Sequence, residues 1–526
     1  MPVIDLTALE AWLWASANIL RGSIDSSDFK NYIFGLLFLK RANDVFDEEV
    51  EAIMARDGIS QQEAEEETYF KIPQEARWET IKKLTENLGI ALDKAFAAIE
   101  RENTGLEGVL TTIKFGDKEK LTDETLQRLM RHFNQYSLKN KDLYTPDILG
   151  DAYEYLIKMF ADDAGKKGGE FYSPRGVVKT IVQLIKPQPK HKIYDPTFGS
   201  GGMLIEAANY VAGLPGGKIG NNVNVSLFGQ EKNIGTWAIG KMNMIFHNYV
   251  DADLRKGDVL VNPQHKDEKN ELMLFDRVIA NPPFSQDAWW TPAEINQEVK
   301  LDKSGQEKKI TPNYSKLVVD QHGRFQYGIP PRGYADMAFL QHMIAMLKDD
   351  GKMGVVLPHG VLFRSGTEGA IREKLLKADI LEGIIGLPPA LFYNTGIPAC
   401  IWIINKAKPA QVRNKLIIID ASGEYKEGKN QNELLNDHIK KIVTTYDHFA
   451  LTDNIDKPVS VKYSRLVDIE EIALNDYSLN ITRYIDASEK EKDINLIAVK
   501  AQLETLEEQE KIIDAKLKAI FKELGL

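Results

Sequence analysis

Two consecutive prolines end a β-rich run at Asn281-Pro282-Pro283-Phe284, and that stop constrains the fold more than any other feature of the chain. The residues before it, Phe275-Asp276-Arg277-Val278-Ile279-Ala280, read as a short strand. Proline fixes φ and lacks an N–H, so the run cannot continue as a central strand. An Asn side chain and a Pro carbonyl are therefore presented at a strand's C-terminal end, where open α/β sheets place their ligand crevice. An amide oxygen and a rigid carbonyl can accept two hydrogen bonds from an exocyclic NH2 group, and the Phe284 ring offers a stacking face to a planar base. Alone, Asn-Pro-Pro is also an ordinary strand-to-loop stop.

A second signal lies upstream. Ile193-Tyr194-Asp195-Pro196-Thr197-Phe198-Gly199-Ser200-Gly201-Gly202-Met203-Leu204 reads as strand, glycine-rich turn, then helix. Glycines let backbone approach a ligand closely, and Asp195 at the strand end can take a cationic or N–H donor. The spacing Gly199-Ser200-Gly201-Gly202 is not the dinucleotide fingerprint, and no basic residue in the loop would hold a diphosphate. The next strand, Ser226-Leu227-Phe228-Gly229, delivers Gln230-Glu231, an acid placed for ribose hydroxyls. Another acid follows in Lys256-Gly257-Asp258-Val259, able to accept from an adenine amino group.

This ordered set resembles the S-adenosylmethionine-dependent DNA adenine-N6 methyltransferases whose cofactor motif precedes the catalytic tetrapeptide. More closely, it resembles the modification subunit of Type I restriction–modification systems. Gly168-Gly169-Glu170-Phe171-Tyr172-Ser173-Pro174-Arg175 is similar to the family's element over the cofactor's methionine end, with Ser173 where Thr is usual. Gly354-Val355-Val356-Leu357-Pro358-His359-Gly360-Val361-Leu362-Phe363 is similar to the strand and loop shaping the base pocket. Phe392-Tyr393-Asn394-Thr395-Gly396-Ile397-Pro398-Ala399-Cys400-Ile401-Trp402 is similar to the hairpin segment beyond it, and Asp476 to Tyr484 is also in the family's style. The resemblance implies a Rossmann-like mixed sheet with helices on both faces. It implies cofactor contacts from Glu170 to Arg175, and from Asp195, Thr197, Gly199, Ser200, Gly201, Gly202, Glu231, Asp258 and Val259. Asn281, Pro282, Pro283 and Phe284 would act on a flipped adenine. It also implies double-stranded DNA as substrate, a specificity subunit carrying two copies of this chain, and a restriction subunit.

Bulk properties suit a cytoplasmic enzyme of more than one domain. A chain of 526 residues, 43% hydrophobic, can bury large cores. Its single cysteine, Cys400, excludes an internal disulfide and a cysteine metal cluster, and the nine histidines lack paired ligand spacing. The N-terminus, Met1-Pro2-Val3-Ile4-Asp5, lacks the pattern of a signal peptide. The longest apolar run, Tyr32 to Leu39, falls far short of the roughly 18 residues a membrane span needs. A net charge of −11 is wrong for a protein that grips DNA alone along an extended basic face, so much of the affinity should come from a partner. Lys179, Arg332 and Arg364 flank the expected site and are candidate phosphate contacts or plain solvated surface.

Residues 1–164 read as a helical domain for DNA or partner interaction, 165–410 as the catalytic domain, 411–485 as its extension, and 486–526 as a docking helix. Phe29, Tyr32, Ile33, Leu36 and Leu37 fall at core-facing helical spacing, after Ser26-Ser27-Asp28 as an N-cap cluster. The long polar segment between Phe284 and Tyr334, with Trp289-Trp290, Lys308-Lys309 and Arg324, reads as a lid or DNA-contacting loop, or as a surface insertion. Leu496, Val499, Leu503, Leu506, Ile513, Leu517, Ile520 and Leu524 follow steps of three and four, interrupted only at Glu510. That is a coiled-coil-like seam for a partner subunit, or a helix docked on its own chain. Other functions stay open on this evidence: a stand-alone adenine methyltransferase, a protein-glutamine or cytosine-N4 methyltransferase, and a non-catalytic scaffold.

Overall fold

From Lys192 onward strands are interspersed with helices, and nine strands of the described residues join one sheet. They are β1 (Lys192–Asp195), β2 (Ser226–Glu231), β3 (Asp253–Lys256), β4 (Phe275–Ala280), β5 (Leu347–Pro358), β6 (Leu381–Gly386), β7 (Ala399–Asn405), β8 (Lys415–Asp420) and β9 (Ser464–Asp468). The computed structural model describes residues 4–21, 24, 28–144, 148–163, 172–220, 222–289, 300–301, 307–308, 322–392, 397–428, 431–451, 462–485 and 496–524. These fall into two units, Met1–Ile485 and Asp486–Leu526.

The sheet order is β9-β8-β6-β7-β5-β4-β1-β2-β3. Strands β1 to β5 run parallel, with Ile193 opposite Arg277 and Asp195 opposite Gly229. β7 is antiparallel to both β5 and β6, and β9 is antiparallel to β8, so the sheet is mixed. From β1 the chain builds outward to β3, then returns to place β4 on β1's other side. That reversal opens a crevice at the C-terminal ends of β1 and β4, the point where such sheets take ligands.

Alternation along the strands explains the two-faced core. Ile401 and Ile403 of β7 join one apolar cluster, while Cys400, Trp402 and Ile404 join the other. Every residue of β6 and β7 is buried, as expected where helices cover both faces. Truncating the fully buried Trp402 to alanine would cost about 3–5 kcal/mol.

The N-terminal helices share the first cluster rather than forming a separate core. Helix α1 spans Leu6–Leu20 and α2 spans Phe29–Asp57. The expected one-sided stripe on α2 is exceeded, because every residue from Tyr32 to Lys40 is buried. Lys40 is tolerated there by its ion pair with Asp44. Asp28 is the N-cap residue but makes no side-chain capping bond, and Ser26 and Ser27 lie outside the described residues. A later helix, α3 (Ile148–Asp163), packs on a helix that flanks the sheet: the Tyr153 hydroxyl donates to the Ile239 carbonyl at 3.1 Å. No described helix is long and apolar enough to cross a membrane.

Candidate functional site

The crevice begins at β1. Asp195 ends that strand only 1% exposed, and its carboxylate accepts the Thr197 N–H at 2.9 Å. Gly199 and Gly201 then take φ of +56° and +85°, which glycine adopts without a Cβ penalty. The turn leads into helix α4 (Gly202–Ala212), and it lies tight against helix α5 (Ile234–Phe246). A Cβ on Gly240 of α5 would sit 2.5 Å from the Gly199 carbonyl oxygen.

Glu231 closes the turn from the next strand. It accepts the Gly199 N–H at 3.1 Å and the Asn233 N–H at 2.8 Å. Burial pushes the Asp195 carboxyl up to about 8, and nearby Glu231 adds to the shift. Glu231 is itself raised by burial, against the backbone N–H groups that favour its charge. An acidic, partly dry cleft with raised carboxyls is a place for a cationic or hydroxyl-bearing ligand.

Asn281 faces this cleft from the end of β4, beside Asp195 because β1 and β4 are neighbours. Its Nδ2 donates to the Ser173 hydroxyl at 3.0 Å, while its Oδ1 is buried without a partner. Pro282 is buried and Pro283 exposed. The half-buried Phe284 ring packs edge-on against Phe392, centroids 5.4 Å apart. Directly after it, Ser285 takes φ +52°, and its N–H donates to the buried Asp336 carboxylate at 2.8 Å. Arg364 donates to Asp336 at 3.0 Å and to the Ser285 hydroxyl at 3.1 Å. Arg364, read as either a phosphate contact or plain solvated surface, thus has its guanidinium in an internal brace.

The third acid, Asp258, is already engaged. It pairs with Lys232 at 2.7 Å and accepts the Leu260 N–H at 3.0 Å. The following turn is fixed from behind by Arg324, which donates to the Val259 and Leu260 carbonyls at 3.1 and 2.7 Å. Arg324 is 1% exposed and Trp289 is 2% exposed, donating its indole N–H to the Pro331 carbonyl at 2.8 Å. Both were expected on a polar surface loop. They are core residues instead, and Trp290 and Lys309 lie outside the described residues.

One cleft thus gathers Tyr172, Ser173, Arg175, Asp195, Thr197, Gly199, Ser200, Gly202 and Asn281. Gly201 lies in the same turn, Glu231 is bonded to it, and Asp258 with Val259 forms the neighbouring turn. Pro174 instead lines an adjoining cavity with Tyr172 and Arg175. Glu170 and Phe171 lie outside the described residues. Sequence reasoning missed Glu154, Met203 and Glu206, which also wall the cleft. The available signal for Glu154 was an acid among the apolar positions Ala152, Tyr153, Leu156 and Ile157, all buried.

Fold and cleft together define an α/β enzyme of the methyltransferase class. Residues 144–493 match the family of N-6 DNA methylases, and residues 9–133 match the HsdM N-terminal domain. The chain is 32% identical to the Type I restriction enzyme HindI methylase subunit of Haemophilus influenzae, over 86% of this chain and 99% of that one. It is 28% identical to the MjaIX methylase subunit of Methanocaldococcus jannaschii, over 98% and 91% of the two chains. Among solved structures, the type I restriction–modification methyltransferase subunit from Streptococcus thermophilus aligns at 31% identity and TM-score 0.74, covering 92% of this chain and all of that one. The chain belongs to the N-6 DNA methylases as a Type I restriction–modification methylase subunit, an adenine-specific DNA methyltransferase.

Proposed function

We propose that the chain transfers a methyl group from S-adenosylmethionine to N6 of an adenine flipped out of duplex DNA, in a complex with a specificity subunit. Two copies per specificity subunit and a separate restriction subunit complete the proposed assembly. The observation that carries the reading is the buried, unpartnered Oδ1 of Asn281, set in the cleft that also holds Asp195 and the glycine turn. A buried acceptor without a donor costs about 1–3 kcal/mol, which a substrate amino group would offset.

The residues fit the cofactor. Glu231 would hold the ribose hydroxyls, Asp258 the adenine amino group, and Asp195 with Ser173 and Arg175 the methionine end. Asp258 retains lone pairs beyond those taken by Lys232 and Leu260, since a carboxylate offers about four acceptor sites. When bound, the sulfonium supplies the methyl group.

The chain's own residues then orient the acceptor. The target base must leave the stack for its N6 to be reachable in line. Phe284 stacks on it, and Asn281 Oδ1 with the Pro282 carbonyl accepts the two N6 hydrogens. Those bonds aim the nitrogen lone pair and stabilise the positive charge that develops on nitrogen. Ser173 fixes which end of the Asn281 amide faces the base.

The deciding experiment uses tritiated cofactor with duplex DNA and the neighbouring specificity polypeptide, followed by nucleoside analysis. Label in N6-methyladenine is expected. Label in N4-methylcytosine, in protein glutamine, or nowhere would overturn the reading.

A further inference from the structure

Glu154 belongs by sequence to the helical N-terminal region, yet its carboxylate stands inside the cleft. It lines the same cavity as Asp195 and Asn281, from helix α3. Its Oε1 lies 3.8 Å from where a Cβ on Gly202 would be, so it adjoins the start of helix α4. Glu231 engages the other end of the same turn, at the Gly199 N–H. The two acids therefore bracket the glycine turn.

Among the described residues Glu154 has no lysine or arginine ion pair, although Arg175 is near enough to favour its charged form. Its side chain is 24% exposed, and its ion-pair contact is with the His247 imidazole at 3.9 Å. His247 is itself held neutral by burial and by nearby Arg175, well below its usual range. Arg175 is mostly exposed and faces Asp151 at 3.8 Å. A second carboxyl, Glu206, and the Tyr172 phenol share this end of the cleft. Burial pushes the Glu154 carboxyl up to about 7, with Asp151 and Glu206 adding to the shift and Arg175 opposing it.

We infer that Glu154 is a cofactor-binding residue whose carboxylate takes the α-ammonium group of the methionine end. This rests on the proposed seating of S-adenosylmethionine in the cleft. With Glu231 on the ribose, the cofactor runs along the turn from Gly199 toward Gly202. The part beyond the sulfur then meets Glu154. That part is a zwitterion: Arg175 and the N-terminal N–H groups of α4 suit its carboxylate, and Glu154 suits its ammonium. The helical region thus supplies one wall of the cofactor site.

The test is calorimetric titration of the full chain and of Glu154→Gln, which keeps the shape and removes the charge. The ligands are S-adenosylhomocysteine, which carries the ammonium on a neutral thioether, and 5′-methylthioadenosine, which lacks the amino-acid end. Glu154→Gln should weaken S-adenosylhomocysteine by about tenfold or more, the scale of a hydrogen bond to a charged group, and leave methylthioadenosine unchanged. Glu154→Asp, which restores the charge, should recover part of the loss. Equal weakening of both ligands, no weakening of either, or weakening of methylthioadenosine alone would overturn the assignment. A wild-type chain that binds none of them would instead refute the cofactor seating itself.

Discussion

The Asn281 Nδ2 donates to the Ser173 hydroxyl at 3.0 Å, joining the end of β4 to a residue 108 positions earlier in the chain. This bond commits Nδ2 and leaves Oδ1 as the unpartnered end of an amide that lines the cleft. Asn281→Ala should therefore abolish turnover, with a barrier raised by roughly 3 kcal/mol or more, while cofactor affinity stays close to wild type. Ser173→Ala keeps the acceptor but frees the amide to rotate, so its loss should be smaller, about tenfold. Single-turnover methyl transfer beside calorimetric titration reads both. Rapid transfer by Asn281→Ala at normal cofactor affinity would remove Asn281 from the reaction.

The brace behind Phe284 yields a second expectation. Asp336 is 1% exposed and holds both the Ser285 N–H and Arg364. Asp336→Ala strips a partly buried guanidinium of its main partner and releases the strained Ser285, at a stability cost of about 3 kcal/mol. Adding Arg364→Met should recover part of that cost, because the stranded charge goes with it. Phe284 loses its fixed position in both variants. Fluorescence of 2-aminopurine at the target position should then report weaker capture of the flipped base, with cofactor binding unchanged. Additive stability losses in the double variant would show that the two side chains act independently.

Asp195 sets a pH signature. Its folded carboxyl titrates at about 8 instead of the ordinary 3.8, chiefly through burial. The neutral form suits the fold, so its contribution to stability is fully present below about pH 4 and is lost as pH rises through about 8. Asp195→Asn cannot ionise and should gain on the wild type across that window, by about 1–3 kcal/mol at its upper end. Glu154 and Glu231, whose carboxyls are also raised, titrate in both proteins and cancel to first order. Thermal midpoints of the ligand-free proteins at pH 5 and pH 8.5 check this. An equal gain at both pH values would place the effect in packing rather than charge. The same substitution should weaken cofactor binding, since an amide cannot ionise to meet a cationic ligand.

The terminal helix α6 (Leu496–Leu524) carries the assembly prediction. Leu503, Leu506, Ile513, Leu517 and Ile520 are each between 42% and 63% exposed, with Ile512 and Phe521 beside them. A continuous apolar seam is costly to leave in water, and a partner helix would cover it. Deletion from about Asn495 onward should leave cofactor binding intact while abolishing co-purification with the specificity subunit and site-specific methylation. Normal assembly by the truncated chain would reduce the helix to a brace within its own chain.

Chemistry that depends on local backbone was legible in the residues themselves. The prolines after Ala280 stop β4 wherever that strand lies, and the glycines of the 199–202 turn permit positive φ regardless of what packs on them. Asp195, Glu231 and Asn281 could each be placed at a strand end for the same reason. Tertiary structure alone decided what these ends meet. Parallel order sets β1 beside β4 and so Asp195 beside Asn281. It brings Glu154 in from a helix read as remote from chemistry, and it turns Arg324, Trp289 and Arg364 from surface candidates into internal supports. Charge and polarity in a linear sequence suggest exposure. A buried arginine stays hidden because three-dimensional packing supplies carbonyls and carboxylates that satisfy it, and those partners lie tens of residues away in the chain.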